Sequence, residues 1–205
     1  MSREAWLTRA GLASLAAFAL LAAAVVTLGP GPILGEERLL NAFEASRGPA
    51  RTDAALAVTA LGGWAGQLPL MGVAVLLLAL TGRARAGGAL AVLCGAGYLA
   101  MTAAKLAFGR PRPDVTHAVY AATGLSFPSG HATASTFFFL GLALVAWRYG
   151  ARWPLAALVP LAMLVGLTRP FLGVHYPSDV LGGWLFAGGL TLVVAGRLPA
   201  APPEG

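Results

Sequence analysis

Long stretches without a charged residue constrain this 205-residue chain more than any other feature. The hydrocarbon core of a bilayer, about 30 Å thick, requires roughly 20 apolar residues of α-helix. Six stretches approach that length, and we predict that they span a membrane at about residues 10–28, 54–80, 87–108, 129–147, 153–169 and 177–196. Spans are helical because lipid offers no hydrogen-bond partner to the backbone. The sequence therefore predicts an all-α polytopic bundle, formed by residues 1–205 as a single membrane domain.

The composition excludes a water-soluble fold. Hydrophobic residues make up 58% of the chain and charged residues 11%, whereas a typical soluble domain has about 25% charged residues. The net charge of +6 does not indicate nucleic acid, because the arginines are scattered through short connectors rather than arranged in a basic stripe. We therefore expect membrane lipid, and no nucleic acid, among the partners.

The first apolar stretch also has features of a secretory signal peptide. Arg3 and Arg9 precede it, and the small residues Ala22, Ala23 and Ala24 offer a cleavage site. The stretch is longer than the usual apolar core of a signal peptide, about 7–15 residues, so a retained span is the preferred interpretation. Cleavage would not alter the sidedness of the later spans.

The connectors predict the orientation. Dense, nearly acid-free basic sites all fall on one side of a six-span chain: Arg3, Arg9, Arg83, Arg85, Arg148, Arg152 and Arg197. The positive-inside rule makes that side cytoplasmic, so both termini are expected inside a cytoplasmic membrane. The first outer connector also carries arginines, and the bias is therefore one of density more than of number. Connectors one, three and five are then expected on the outer face.

The first outer connector, residues 33–46, has the pattern of a short amphipathic helix. One face has the apolar side chains Leu39, Leu40 and Phe43, and the other face has Glu37, Asn41 and Glu44. Such a helix can lie on the outer membrane surface. An ordinary loop helix and a helix that admits lipid are equally compatible with the pattern.

Most remaining ionisable residues lie in the last two outer connectors or at the span ends beside them. Charges at this depth need partners and by default mark a functional site. The group contains four cations, three histidines and two aspartates, which suits an anion with several oxygens. Its members are Lys105, Arg110, Arg112, Asp114, His117, His131, Arg169, His175 and Asp179.

The segment from Ser126 to His131 immediately precedes the fourth span. Proline and serine suit a helix start, and glycine lets the backbone approach a ligand closely. The free amides of a helix start favour an anion. His131 would lie at the edge of that site, placed to donate a proton.

The last outer connector brings His175 just ahead of Pro177, with Asp179 one helical turn further on. A bond from one ring nitrogen of His175 to Asp179 would fix the tautomer and make the other nitrogen more basic. A histidine held in this way can attack phosphorus. His and Asp four residues apart also suit a metal. We expect no metal and no cofactor, because a cation would lie among three other cations with few carboxylates.

Three spaced motifs resemble the type 2 phosphatidic acid phosphatase family, whose active site is related to that of vanadium haloperoxidases. They are Lys105 with Arg112-Pro113, Pro128-Ser129-Gly130-His131, and Arg169 with His175 and Asp179. The resemblance covers the chain from about the third span to the sixth. It implies a membrane lipid phosphatase.

Roles follow from the resemblance for each matching residue. His175 would be the nucleophile that forms a phosphohistidine, Asp179 its orienting partner, and His131 the acid that protonates the leaving group. The phosphoryl oxygens would be held by Lys105, Arg112, Ser129, Gly130 and Arg169. Thr168 replaces the serine usual before the third-motif arginine but keeps its hydroxyl. Arg110, Asp114 and His117 are not motif positions and are expected to be solvated loop residues, although Arg110 could also reach a second phosphate.

The expected substrate carries phosphate at the outer surface and a tail in the bilayer. An isoprenyl pyrophosphate such as undecaprenyl pyrophosphate is preferred, because a small outer-face enzyme suits carrier-lipid recycling; phosphatidate and phosphatidylglycerol phosphate are alternatives. A lipid phosphotransferase is a second hypothesis. A transporter or non-catalytic lipid binder is a third, against which the two histidines and Asp179 argue. Gly62 and Gly66 have the spacing of a close helix contact, within one bundle or between copies.

Overall fold

The structure is a computed structural model, and it describes residues 2–114 and 118–197. The described residues form helices and no strands. In chain order the helices are α1 (Arg3–Leu28), α2 (Glu36–Ala45), α3 (Pro49–Ala60), α4 (Trp64–Leu80), α5 (Ala84–Phe108), α6 (Gly130–Ser135), α7 (Gly141–Arg148), α8 (Trp153–Phe171) and α9 (Pro177–Arg197). A π-helical turn, Thr136–Leu140, joins α6 to α7. The predicted all-α class is confirmed.

Five helical stretches are long and apolar enough to cross a membrane by themselves. They are α1, α5, the continuous stretch Gly130–Arg148, α8 and α9. Helices α3 and α4 meet the same criteria only as a pair, with a 49° bend between them. The chain is therefore a multi-pass membrane protein. The count of six spans stays a prediction.

The predicted span at 54–80 is not one straight helix. It begins earlier, at Pro49, whose fixed φ suits the first turn of a helix. It breaks after Ala60 and resumes at Trp64, across a tight turn that contains two glycines. A Cβ at Gly66 would lie 2.1 Å from the carbonyl oxygen of Ala60, and one at Gly62 would lie 2.4 Å from Val165 Cγ1. Gly62 and Gly66 thus serve packing within the chain.

The centre of the bundle is the stretch Gly130–Arg148. Over its most apolar 18 residues, 56% are buried, compared with 17% for α1 and for α5. Phe137, Phe138 and Phe139 fill the surrounding space and are all nearly inaccessible. Helices α8 and α9 pack against this stretch, and their ends form the candidate site described below.

Helix α1 lies unusually close to α9 because glycines line the contact. On α9 these glycines are Gly189 and Gly196, seven residues apart, and Gly11 on α1 faces Gly189. A Cβ at Gly189 would lie 2.7 Å from Leu15 Cγ, and one at Gly196 would lie 2.4 Å from Thr8 Oγ1. Small residues allow such close approach between membrane helices, where van der Waals packing replaces the hydrophobic effect. The glycines thereby hold α1 against the helix that carries Asp179.

We predict that Gly11→Ala destabilises the bundle by about 1–3 kcal/mol, because an added methyl in a packed interface forces backbone shifts. The new Cβ would lie 2.7 Å from the Gly189 carbonyl oxygen. Thermal unfolding in detergent measures the effect. Gly72→Ala is the matched control, since a Cβ at this helical position meets nothing within 4 Å. Equal melting temperatures for the two variants would contradict the close α1–α9 packing.

Candidate active site

The three motifs meet at one end of the bundle. Lys105 Nζ donates to the carbonyl oxygens of Leu125 (2.6 Å) and Ser126 (3.2 Å), which connects the end of α5 to the segment before α6. The amide of Ser129 donates to the carbonyl oxygen of Asp179 at 2.8 Å, which connects the starts of α6 and α9. The predicted convergence of residues 105–113, 128–131 and 169–179 is therefore present in the structure.

His175 is the centre of the arrangement and is almost completely buried. Its Nδ1 lies 3.2 Å from Ser126 Oγ and 3.4 Å from Asp179 Oδ2. Its Nε2 lies 2.9 Å from Arg112 Nη1. Because a guanidinium can only donate, Nε2 must accept, and this network assigns the ring proton to Nδ1. The lone pair of Nε2 therefore points toward Arg112.

Burial lowers the pKa of His175 well below its usual range. The nearby charges of Arg112, Lys105 and Arg169 lower this pKa further, because each repels a protonated imidazole. The ring is therefore neutral at pH 7. A neutral imidazole with Nδ1 protonated has its Nε2 lone pair ready for nucleophilic attack.

Asp179 is fixed from three sides. Its Oδ2 accepts the backbone amide of Tyr176 at 2.8 Å and the hydroxyl of Ser126, and its Oδ1 accepts Arg110 Nη1 at 2.8 Å. Asp179 is the third residue of α9, a position from which a carboxylate can reach back to an amide that the helix start leaves unpaired. The sequence places this residue so that capping of α9 and orientation of His175 use the same carboxylate.

The predicted phosphate ligands are also held in place. Arg112 Nε donates to the carbonyl oxygens of Thr123 and Gly124, both at 3.1 Å. Arg169 Nη1 donates to Thr59 Oγ1, at 2.7 Å, near the end of α3. A Cβ at Gly130 would lie 3.8 Å from Lys105 Cε, so the lysine side chain passes over the first turn of α6.

Two of these ligands have buried polar atoms without a partner among the described residues. They are Ser129 Oγ and Arg169 Nε. Buried polar groups in folded proteins are normally satisfied, and an unpaired one costs free energy. Both atoms belong to residues predicted to bind phosphoryl oxygens, and an anion with several oxygens can satisfy both.

His131 occupies the first turn of α6, two residues after Ser129. It lies at the same end of the bundle as His175, since the Ser129 amide bonds to Asp179. Its Nε2 would lie 3.2 Å from a Cβ at Gly63, so the ring packs against the break between α3 and α4. The proton donor predicted from the sequence is thus supported by a different element from the predicted nucleophile.

The prediction that Arg110 is a solvated loop residue is wrong. Only 2% of Arg110 is exposed, and its guanidinium pairs with Asp179 at 2.8 Å and with Glu36 at 3.0 Å. The left-handed turn at Gly109 directs the chain inward at this point. Asp114 is exposed, and His117 lies outside the described residues.

Sequence reasoning also missed Ser126, Glu36 and Thr59 as parts of the site. Ser126 opens the quoted second segment and is a hydroxyl donor beside a predicted helix start, which is a usable signal. Glu36 and Thr59 give no local signal. They reach the site only through tertiary packing, Glu36 through Arg110 and Thr59 through Arg169.

Among residues 2–114 and 118–197, no three His, Cys, Asp or Glu side chains cluster as a metal-ligand set. The expectation that no metal takes part stays a prediction.

Comparison with known families assigns the fold and the family. The sequence model described as the PAP2 superfamily matches residues 86–200, which is more than half of the chain. The chain belongs to the PAP2 superfamily. The resemblance predicted from the three motifs is thereby confirmed.

The chain is also similar to individual members. A lipid A 1-phosphatase from Rhizobium etli is 39% identical over 44% of this chain and 41% of its own length. The undecaprenyl-diphosphatase BcrC from Bacillus subtilis is 36% identical over 40% of this chain and 42% of its own length. The chain thus spans about two fifths of the length of these curated relatives.

A solved structure has the same fold along nearly the whole chain. It is the crystal structure of the first transmembrane PAP2 type phosphatidylglycerolphosphate phosphatase from Bacillus subtilis. The TM-score is 0.80, with 24% identity, and the match covers 91% of this chain and 94% of the other. The likeness extends to the helices before residue 86, which the family match does not include.

We predict that the His175 imidazole stays neutral as the pH falls from 8 to 6, whereas an unperturbed histidine titrates near about 6.5. Burial and three neighbouring cations disfavour the protonated ring, so its pKa shifts downward and the neutral form persists at lower pH. Histidine ¹⁵N NMR in detergent measures this, with His175→Asn assigning the signal and a histidine in an added terminal tag as the titrating reference. Titration of His175 together with the tag would contradict the description of its surroundings.

Proposed function

We propose that this protein is a lipid phosphatase that removes phosphate through a phosphohistidine and without a metal. The observation that supports this best is the geometry of His175. Its Nδ1 faces Asp179 and Ser126, and its Nε2 faces a group of cations. Membership of the PAP2 superfamily and the phosphatase names of the relatives agree with it.

The first step transfers the phosphoryl group to the enzyme. Nε2 of His175 attacks phosphorus while the bond to the leaving oxygen breaks, and His131 gives that oxygen a proton. Asp179 stabilises the positive charge that the ring acquires. Charge on the phosphoryl oxygens is met by Lys105, Arg112, Arg169, the Ser129 hydroxyl and the Gly130 amide, where fixed donors lower the barrier.

The second step releases phosphate. A water molecule attacks the phosphorus of the phosphohistidine. His131, now neutral, takes up a proton from this water as it attacks. The bond between Nε2 and phosphorus breaks, and its electron pair returns to the imidazole. Inorganic phosphate leaves, and His131 is again protonated for the next substrate.

For the substrate we propose an isoprenyl pyrophosphate, with undecaprenyl pyrophosphate as the example. The similarity to undecaprenyl-diphosphatase BcrC supports this choice. A second candidate, the 1-phosphate of lipid A, is supported by the 39% identity to the lipid A 1-phosphatase. Arg110 already pairs with the carboxylates of Glu36 and Asp179. The transferred phosphoryl group would therefore be bound by Lys105, Arg112 and Arg169.

We further propose six spans in a cytoplasmic membrane, with α3 and α4 together forming the second. Both termini then lie in the cytoplasm, and the site faces outward. The dense basic connectors support this orientation, because arginines close to span ends are retained on the cytoplasmic side. A phosphate group at the outer membrane boundary would then reach Lys105 and Arg112 from the lipid surface.

Purified protein in detergent is expected to release phosphate from undecaprenyl pyrophosphate or lipid A in excess chelator. His175→Ala is expected to lower kcat by at least about 10⁴-fold, as loss of a catalytic-group nucleophile does. A panel that adds phosphatidate and phosphatidylglycerol phosphate measures which substrate has the highest kcat/KM. Activity that disappears with chelator and returns with a divalent ion would defeat the mechanism.

The role of His131 has its own control. The first turnover on p-nitrophenyl phosphate, followed as a burst of p-nitrophenol, isolates the first step from the second step, which also uses His131. Because this leaving group needs no proton, His131→Ala should slow that burst much less than it slows the first turnover on a lipid phosphate. His175→Ala should lose activity on both.

Phosphate that passes to an acceptor lipid, with free phosphate appearing only when no acceptor is present, would identify a phosphotransferase instead.

Single cysteines test the orientation, after Cys94, the one cysteine of the sequence, has been replaced by alanine. Leu34→Cys, in the first connector, is expected to react with a membrane-impermeant maleimide added to intact cells, since Leu34 is 85% exposed. Thr81→Cys, in the connector between α4 and α5, should react only after the cells are opened. Labelling of both positions from the same side would exclude the proposed second span.

A further inference from the structure

We propose that Arg110 and Glu36 are positioning residues that fix Asp179 and act on His175 through it. The proposal rests on the function proposed above. Neither residue belongs to the three motifs, and Glu36 lies outside residues 86–200, to which the family match extends.

Arg110 is enclosed by partners on both branches of its guanidinium. Nη1 donates to Asp179 Oδ1 at 2.8 Å and to Ser178 Oγ at 2.7 Å. Nη2 donates to Glu36 Oε2 at 3.0 Å and to the carbonyl oxygen of Gly31 at 2.7 Å. The Tyr176 ring covers one face, 4.2 Å from the guanidinium carbon. An arginine so occupied has no donor for a phosphate and serves to orient a carboxylate.

Glu36 continues the network to the start of α9. Its Oε1 accepts the Ser178 amide at 2.6 Å, and its Oε2 accepts the Ile33 amide at 2.9 Å as well as Arg110. The side chains of Glu36 and Arg110 are 6% and 1% exposed. Glu36 therefore holds both the residue next to Asp179 and the arginine that pairs with it.

The charges explain why the pair matters to the reaction. Arg110 lies between two buried carboxylates, those of Glu36 and Asp179. Removing the guanidinium would leave two buried anions without their shared cation, an arrangement that favours proton uptake or rotation of a carboxylate. Either change would weaken the bond from Asp179 to His175 Nδ1, and with it the orientation of Nε2.

Helix α2 is fixed at its other end as well. Just beyond this end, Arg47 Nε donates to the carbonyl oxygen of Phe171 at 2.8 Å, and Phe43 packs edge-on against the Phe171 ring at 6.2 Å. Helix α2 and the residues just after it thus contact the end of α8 and the start of α9. His175 lies in the connector between these two helices. This placement lets Glu36 control Asp179 without contacting the substrate.

The test compares kinetics of Glu36→Gln and Arg110→Gln with two controls on the same helix, Glu37→Gln and Arg38→Gln, whose residues are exposed. Arg110→Gln should lower kcat roughly 10–100-fold, by analogy with the loss of hydrogen-bond partners that orient metal-binding side chains. Glu36→Gln keeps its size and its acceptor for Ser178 and should lower kcat less. The controls should stay within about twofold, and KM should change little throughout.

A double-mutant cycle separates positioning from general destabilisation. If Arg110 acts through Asp179, then Arg110→Gln should cost about tenfold less in an Asp179→Asn background than in the wild type. Full additivity, a raised KM at unchanged kcat, or variants equal to the controls would each overturn the proposal. If Arg110→Gln does not fold, Glu36→Gln and its cycle with Asp179→Asn decide by the same criteria.

Different experimental results would contradict the proposed function and the proposed role of Arg110 and Glu36. Wild-type protein that hydrolyses no lipid phosphate, or His175→Ala that remains active, would remove the proposed function and this inference with it. Active wild type, inactive His175→Ala and a normal Arg110→Gln would remove only the inference.

Discussion

The Asp179 carboxylate is an anion with almost no access to solvent at the end of a membrane bundle. The residues of the site are arranged to give this carboxylate its hydrogen bonds and its ion pair. A buried charge is costly unless paired and hydrogen-bonded. Here the Tyr176 amide just before α9, the Ser126 hydroxyl and Arg110 provide those bonds. The same bonds determine where the carboxylate meets His175, so the condition for folding this end of the chain is also the condition for orienting the proposed nucleophile.

The residues proposed to bind phosphate follow the opposite rule. Lys105, Arg112 and Arg169 bring three positive charges beside a neutral histidine, and Ser129 Oγ and Arg169 Nε have no partner among the described residues. Their repulsion is tolerable because carbonyl oxygens of residues 123–126 take up several of the donors. An arriving phosphoryl group would relieve the remaining excess of positive charge. One half of the site is thus satisfied without ligand, and the other half is prepared for one.

Much of this arrangement could be predicted from the sequence, because it depends on local signals. Apolar stretches of span length indicated a multi-pass helical protein, and the spacing of Lys105, Arg112, Ser129, Arg169, His175 and Asp179 indicated one cationic site. What failed was the placement of Arg110, which was expected to be a solvated loop residue. The two arginines share the same Pro-flanked loop, yet one turns toward Asp179 and the other toward His175 Nε2. Arg110 is also held by Glu36, more than 70 residues earlier, and no local pattern reveals that contact. The break between α3 and α4, in the predicted second span, also depends on distant residues, since Gly62 and Gly63 lie where Val165 and His131 leave no room for a side chain.

The bend between α3 and α4 has a mechanical consequence. Thr59, one residue before the end of α3, holds Arg169, and Gly63, just ahead of α4, borders the His131 ring. These two contacts are only four residues apart, on either side of the 49° bend. Straightening or tightening the bend would change the separation between the arginine and the imidazole without altering any motif residue. A change in bilayer thickness or lateral pressure that alters the tilt of α3 or α4 would therefore alter the distance between Arg169 and the His131 ring.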